Sequence, residues 1–99
     1  MIPAGGGKAC VHIRVQGRVQ GVGFRAFIQQ AASQLGLTGW VRNVGYAGVE
    51  IRAEGDRGDV EKFLELAKIG PRASKVENAI VDWEAYSGDY KGFSVKYDL

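Results

Sequence analysis

Residues 17–25 have the sequence Gly17-Arg18-Val19-Gln20-Gly21-Val22-Gly23-Phe24-Arg25. This stretch separates a segment with strand-like alternation from a segment with helical periodicity. Its glycines lower the steric cost of turning backbone N–H groups toward one anion at a helix N-terminus. Arg25 falls in the first helical turn, where its planar guanidinium fits a phosphate group. The stretch therefore predicts a phosphate-binding loop. Taken alone, it is equally typical of a tight turn that needs positive φ angles.

The segments on either side of this glycine loop (residues 17–23) have opposite periodicities. Before it, every second residue is apolar, which predicts a half-buried strand containing Val11, Ile13 and Val15. After it, apolar residues recur at spacings of three and four, which predicts a helix with the stripe Phe24, Phe27, Ile28, Ala31, Ala32 and Leu35. Gly36 is placed to end this helix in a left-handed cap.

The rest of the chain predicts four strands, two of them joined in a hairpin, and a second helix. A strand over residues 37–44, a glycine-bearing turn at residues 44–48 and a strand from Val49 form the hairpin. Asp56 is a candidate N-cap for a helix that ends at Gly70-Pro71. A long strand, with a possible bulge, covers about Lys75–Tyr86. A last strand contains the alternating residues Phe93, Val95 and Tyr97.

The predicted order is β-α-β-β-α-β with a short final strand. This order is typical of an α+β, ferredoxin-like split β-α-β sandwich, with a mixed, largely antiparallel sheet and two helices on one face. A right-handed crossover makes the first two strands parallel, with the third between them. Asn43, at the end of the second strand, should then lie near the glycine loop and Arg25. Asn43 alone would usually be a turn asparagine, and Arg25 alone a solvated arginine. Their convergence favours a functional site.

Length, charge and cysteine content set wider limits. The chain has 99 residues with a formal net charge of +2, so we expect one domain over residues 10–99 behind a flexible leader at residues 1–9. Cys10 is the only cysteine, which excludes an internal disulfide and predicts a packed thiol. Since the sequence shows no signal peptide and no membrane-length apolar run, the expected location is cytoplasmic.

Other kinds of site find little support. No Cys/His cluster has metal-ligand spacing, and no serine or cysteine pairs with the sole histidine, His12, which alternation places on the face opposite Val11 and Ile13. We therefore expect no metal and no cofactor. Residues 21–26 fit a loose dinucleotide pattern, but the chain is too short for that fold. Residues 91–97 faintly resemble an RNA-binding motif, but on the wrong strand.

Two motifs together resemble the acylphosphatase family. They are residues 17–25, already quoted, and Leu35-Gly36-Leu37-Thr38-Gly39-Trp40-Val41-Arg42-Asn43, with weaker matches at Val49-Glu50 and Gly70-Pro71. The resemblance covers about residues 11–99. It differs at the turn Val44-Gly45-Tyr46-Ala47-Gly48, where the family often has a hydroxyl residue just after the asparagine.

The resemblance implies a small, monomeric hydrolase that cleaves acyl phosphates to a carboxylate and orthophosphate. The residues it assigns to phosphate binding are Val19, Gln20, Gly21, Val22, Gly23 and Arg25, and it assigns the positioning of the attacking water to Asn43. Neither metal, nucleic acid nor membrane is implied, and inorganic phosphate is expected to act as product and inhibitor. Two alternatives stay open: a domain that serves carbamoyl-phosphate chemistry, and a non-catalytic module that binds anions or RNA.

Overall fold

The computed structural model describes residues 7–97. Its elements are β1 (Lys8–Arg18), α1 (Phe24–Gln34), β2 (Thr38–Val44), β3 (Gly48–Asp56), α2 (Arg57–Ile69), β4 (Lys75–Glu84) and β5 (Phe93–Lys96). The five strands form one sheet in the order β4-β1-β3-β2-β5. Neighbouring strands are antiparallel except for β2 and β5, which are parallel. The predicted ferredoxin-like α+β class is confirmed.

The core lies between the two helices and one face of the sheet, as the apolar periodicities predict. The sheet contributes alternate residues such as Ile13, Val41 and Ile51, none of them accessible to solvent. The helices contribute Phe24, Ile28, Ala31 and Ala32 from α1, and Val60, Phe63, Leu64 and Ala67 from α2. Alternation leaves the polar strand residues on the other side, the open face of the sheet.

The end of α1 fixes the entry into β2. Gly36 has φ 70°, and its N–H donates to the carbonyl of Ser33, while the N–H of Leu37 donates to the carbonyl of Ala32. This pair of bonds is a Schellman cap, as the glycine predicted. Because β1 and β2 both run antiparallel to β3, they are parallel to each other, and their C-terminal ends meet at one edge of the sheet.

A bulge distorts the pairing of β1 with β4 where β1 approaches the glycine loop. Gln16 pairs with Asn78 and Gly17 with Val76, so Glu77 has no partner in the register. Gly17 has φ 137°, and a Cβ there would lie 2.2 Å from the carbonyl oxygen of Lys75. A glycine is therefore needed at this crossing, and the predicted bulge is present.

Three details differ from the sequence expectations. Lys8 and Ala9, assigned to the leader, belong to β1, because they pair with Asp56 and Gly55 of β3; residues 1–6 lie outside the described residues. Asp56 is the N-cap residue of α2, but its carboxylate binds Lys8 and makes no capping bond. His12 is on the open face, but it is buried, with Nε2 2.6 Å from Glu50 Oε2.

Cys10 is also on the open face, and it is buried. Burial raises the pKa of its thiol to about 11, and the neighbouring Glu54 carboxylate adds to that shift. The thiol is therefore protonated at neutral pH, which suits a packed side chain and not a nucleophile. Within residues 7–97, no helix has the length and hydropathy to cross a bilayer.

Candidate active site

A pocket of about 210 Å³ lies where β1 and β2 end. It brings together three parts of the sequence that are far apart in the chain: the glycine loop, Arg25 at the start of α1, and Asn43 near the end of β2. The lining residues are Val19, Gly21, Gly23, Phe24, Arg25, Ala26, Gln29, Asn43, Val95 and Tyr97. The convergence predicted from the topology is therefore present.

The glycine loop contributes backbone to this pocket. Gly21 has φ 73° and Gly23 has φ 78°, in the left-handed region where glycine is strongly favoured. Gly23 is the N-cap residue of α1, and no side chain caps this helix. A Cβ on either glycine would meet no atom within 4 Å, so the space in front of the loop is open. An uncapped helix N-terminus beside open space is a suitable place for an anion.

Arg25 is held at the pocket by the end of β5. Its Nη1 donates to the carbonyl of Lys96 at 3.2 Å, and its Cζ lies 4.6 Å from the centroid of the Tyr97 ring. The guanidinium has five N–H donors, and within residues 7–97 this single bond leaves the others available to a ligand. The described residues show no carboxylate paired with Arg25. The pocket therefore contains a positive charge that no described carboxylate neutralises.

Asn43 carries the most informative atom of the site. Its Oδ1 is buried and has no hydrogen-bond partner within residues 7–97. A buried acceptor without a partner costs about 1–3 kcal/mol, so such atoms are rare unless water or a ligand satisfies them. Asn43 lines the pocket with Arg25 and the glycine loop, so this unpartnered acceptor lies in the wall of the pocket.

Gln20 and Val22 do not line the pocket, although both lie in the glycine loop. The side chain of Val22 packs against the core. Gln20 Nε2 turns to the β2–β3 turn and lies 3.3, 3.0 and 2.8 Å from the carbonyls of Val44, Gly45 and Gly48. The N–H of Gly17 donates to the carbonyl of Ala47 in the same turn. Through these hydrogen bonds the β2–β3 turn supports the glycine loop.

The sequence prediction missed the wall formed by the first two turns of α1 and by β5 with the residue after it. Ala26 and Gln29 come from α1, Val95 comes from β5, and Tyr97 directly follows β5. Gln29 Nε2 donates to the carbonyl of Phe93 at 3.3 Å, which ties the helix to that strand. Alternation had placed Val95 and Tyr97 on one face, but nothing in the sequence showed that β5 lies beside β2.

Another cavity, of about 490 Å³, is a separate feature. It lies on the open face of the sheet, is lined by Arg14 and Arg42, and includes neither Arg25 nor Asn43. Arg14 and Arg42 therefore do not line the 210 Å³ pocket. The described residues also contain no group of three or more His, Cys, Asp and Glu side chains that could hold a metal ion.

The fold and this pocket define a small ferredoxin-like domain whose candidate site combines a glycine loop, an arginine and an asparagine. The sequence model of the Acylphosphatase family matches residues 11–95. A curated acylphosphatase from Anaeromyxobacter sp. is 47% identical over 90% of this chain and 96% of its own length. One from Trichormus variabilis is 49% identical over 87% and 84%. The chain belongs to the acylphosphatase family, a family of enzymes.

Solved structures agree with this assignment. The acylphosphatase from Bacillus subtilis superposes with a TM-score of 0.85 at 40% identity, over 90% of this chain and 99% of that one. A domain of full-length HypF, crystallised in a phosphate- and nucleotide-bound form, gives a TM-score of 0.78 at 30% identity. The match covers 93% of this chain but 12% of HypF, so the same fold occurs both as a small protein and inside a much larger one.

Proposed function

We propose that this enzyme hydrolyses small acyl phosphates through the glycine loop, Arg25 and Asn43. The backbone of residues 19–23 and the guanidinium of Arg25 bind the phosphoryl oxygens. Asn43 Oδ1 accepts a hydrogen bond from the attacking water. The observation that carries the proposal is the unpartnered Oδ1 of Asn43, which shares a pocket with an unneutralised arginine and an uncapped helix N-terminus.

The chemistry requires little from the protein. Water attacks phosphorus, the bond between phosphorus and the acyl oxygen breaks, and the products are a carboxylate and orthophosphate. A carboxylate is a good leaving group, so catalysis reduces to positioning the reactants and stabilising the charge on the phosphoryl oxygens. Among residues 7–97, the pocket lining contains no carboxylate and no histidine. We therefore assign the proton of the water to a phosphoryl oxygen of the substrate.

Benzoyl phosphate is a suitable first substrate. The purified chain should release phosphate well above the spontaneous rate, at the same rate with and without EDTA, and inorganic phosphate should compete with the substrate. Release at only the spontaneous rate would contradict the proposal. Carbamoyl phosphate in the same assay and a titration with single-stranded RNA test the two alternative functions.

We further propose that the enzyme acts as a cytoplasmic monomer, without nucleic acid or membrane. A single buried thiol that forms no disulfide fits a reducing compartment. The open face of β3 presents Glu50, Arg52 and Glu54 and no aromatic side chain, which does not suit stacking of RNA bases. Sedimentation equilibrium should give a mass near 10.7 kDa; a dimer mass would contradict the monomer.

A further inference from the structure

The 490 Å³ cavity on the open face of the sheet, called the open-face hollow below, has no part in the proposed reaction. Its walls are the β2–β3 turn at residues 44–48 and the side chains of Arg14, Gln16, Arg42 and Glu50. Its volume is in the range of small-molecule sites. It combines apolar surface with a small number of charged groups, which is the usual character of such sites.

Strand register explains why the hollow exists. Gln16, Gly48 and Val44 pair in one row across three strands, and Arg14, Glu50 and Arg42 pair in the next. The central position of the first row has no side chain, because it is Gly48. A Cβ there would lie 2.8 Å from the carbonyl oxygen of Val44, so the hairpin requires glycine. The middle strand therefore leaves a space where a side chain would stand. The next row, Arg14, Glu50 and Arg42, forms a charged wall at one end of that space.

The charged wall has an excess of positive charge. Glu50 binds two partners: His12 Nε2 and Arg42 Nη2 each lie 2.6 Å from one of its oxygens. Burial alone would raise the pKa of Glu50, but these hydrogen bonds outweigh it and lower the pKa, so the carboxylate is ionised and already paired. Arg14 is exposed, and within residues 7–97 it makes no ion pair or hydrogen bond through its side chain. Its guanidinium is therefore available to an anion.

The rim at the turn is apolar. Tyr46 is fully exposed and Val44 is 45% exposed, and both line the hollow. An aromatic ring is a large apolar group that gains from contact with another aromatic side chain. A carboxylate accepts two parallel hydrogen bonds from a guanidinium. The apolar rim thus favours an aromatic ring, and the guanidinium of Arg14 favours a carboxylate. One small molecule can carry both groups.

We propose that the open-face hollow binds an aromatic carboxylate, with its carboxylate on Arg14 and its ring against Val44 and Tyr46. This site is separate from the pocket of Arg25 and Asn43, and the proposal does not depend on the proposed hydrolysis. The same turn accepts the hydrogen bonds of Gln20 from the glycine loop. A ligand in the hollow therefore contacts the segment that braces the loop.

The probe is 1-naphthoate, titrated into the ¹⁵N-labelled protein while backbone amide shifts are recorded. We expect saturable shifts at residues 14, 46, 48 and 50. Its uncharged analogue 1-naphthamide should bind at least about tenfold more weakly, because it lacks the charge-assisted hydrogen bonds. Arg14→Gln should weaken naphthoate binding by a similar factor. Arg72→Gln, which removes the same charge from an exposed turn outside the hollow, should leave it unchanged.

Three results would overturn the proposal. One is the absence of saturable shifts at these residues at millimolar naphthoate. Another is a set of shifts centred on Gly21, Gly23 and Arg25, which would place the probe in the phosphate pocket. The third is equal affinity for naphthoate and naphthamide in the wild-type protein, a comparison that needs no variant to fold.

Discussion

At the scale of single residues, the site depends on polar groups that have fewer hydrogen-bond partners among the described residues than they can accommodate. Among the residues that the structure describes, Asn43 Oδ1 is buried without a partner and Arg25 donates one hydrogen bond. In a folded protein most buried polar atoms are paired. Asn43 Oδ1 is the exception within residues 7–97, and it shares this pocket with a cation that no described carboxylate pairs and with glycines that leave open space.

Replacing Arg25 tests its role in binding the phosphoryl group. Arg25→Gln removes the only cation that lines the pocket within the described residues. Arginines that stabilise transferring phosphoryl groups contribute a factor of about 10³ or more, so turnover of benzoyl phosphate should fall by about a thousandfold. Inhibition by inorganic phosphate should be lost in parallel. Arg72→Gln serves as the control for net charge. Activity within tenfold of wild type would contradict the role of Arg25.

Tyr97 should act as a positioning residue, because its ring lies against the Arg25 guanidinium. Exposed cation–π contacts are worth about 0.5–1 kcal/mol, so Tyr97→Leu should lower kcat/KM about two- to fivefold. Tyr97→Phe keeps the ring and should behave as wild type. If phenylalanine and leucine reduce kcat/KM equally, the ring contact has no role and the hydroxyl does.

At the scale of elements, the β2–β3 hairpin supports the glycine loop. The turn carbonyls that accept from Gln20 belong to the same hairpin that carries Asn43. The two halves of the site are therefore braced against each other, although 20 or more residues separate them in the chain. Small displacements of catalytic groups can cost large factors in rate.

Gln20→Ala removes this brace while leaving the residues that line the pocket unchanged. We expect kcat/KM to fall about tenfold, because the loop must be ordered on binding. Stability should fall by only about 1–3 kcal/mol, because the amide has two N–H donors and each hydrogen bond is worth about 0.5–1.5 kcal/mol net. Gln30→Ala, at an exposed position on α1, is the matched control. Equal kinetics for the two variants would show that the brace does not serve the site.

The sequence predicted the elements better than their contacts. Apolar spacing was sufficient for the stripe of α1, and glycines marked the loop, the helix cap and the hairpin. The four-residue strand β5 was predicted, but a strand so short carries no signal for its neighbour, so the contact of Tyr97 with Arg25 was missed. Alternation predicted the face of His12 but not its burial, because alternation gives no sign of the hydrogen bond to Glu50.

At the scale of the whole molecule, a buried carboxylate fixes the segment between β4 and β5. Glu54 is 1% exposed and accepts hydrogen bonds from the N–H and hydroxyl of Ser87 and from the N–H of Gly88. Burial alone would raise the pKa of Glu54, but these hydrogen bonds outweigh it and lower the pKa below its ordinary value of 4.5. Through this segment Glu54 helps to place β5 and hence Tyr97.

The lowered pKa of Glu54 predicts that the free energy of unfolding decreases in acid. A carboxylate with a lowered pKa in the folded state stabilises the fold at neutral pH, and this contribution disappears as the pH falls through the folded pKa. Glu54→Gln should lower the free energy of unfolding by about 1–3 kcal/mol at pH 7, and the gap to wild type should narrow below about pH 4.5. Urea denaturation at several pH values measures this.

Glu77→Gln is the control, since the Glu77 carboxylate is exposed and makes no ion pair or hydrogen bond within residues 7–97. A gap between wild type and Glu54→Gln that stayed constant from pH 7 to pH 3 would mean that packing, and not the ionised carboxylate, accounts for the loss.

The most direct test of the central claim is the steady-state kinetics of Asn43→Ala with benzoyl phosphate, with inorganic phosphate as inhibitor. If Asn43 Oδ1 positions the attacking water, kcat should fall about a hundredfold or more, as when other preorganised polar groups are removed. The inhibition constant for phosphate should stay within about threefold of wild type, because the glycine loop and Arg25 are intact. An unchanged kcat, or a loss of phosphate affinity as large as the loss of rate, would contradict the account.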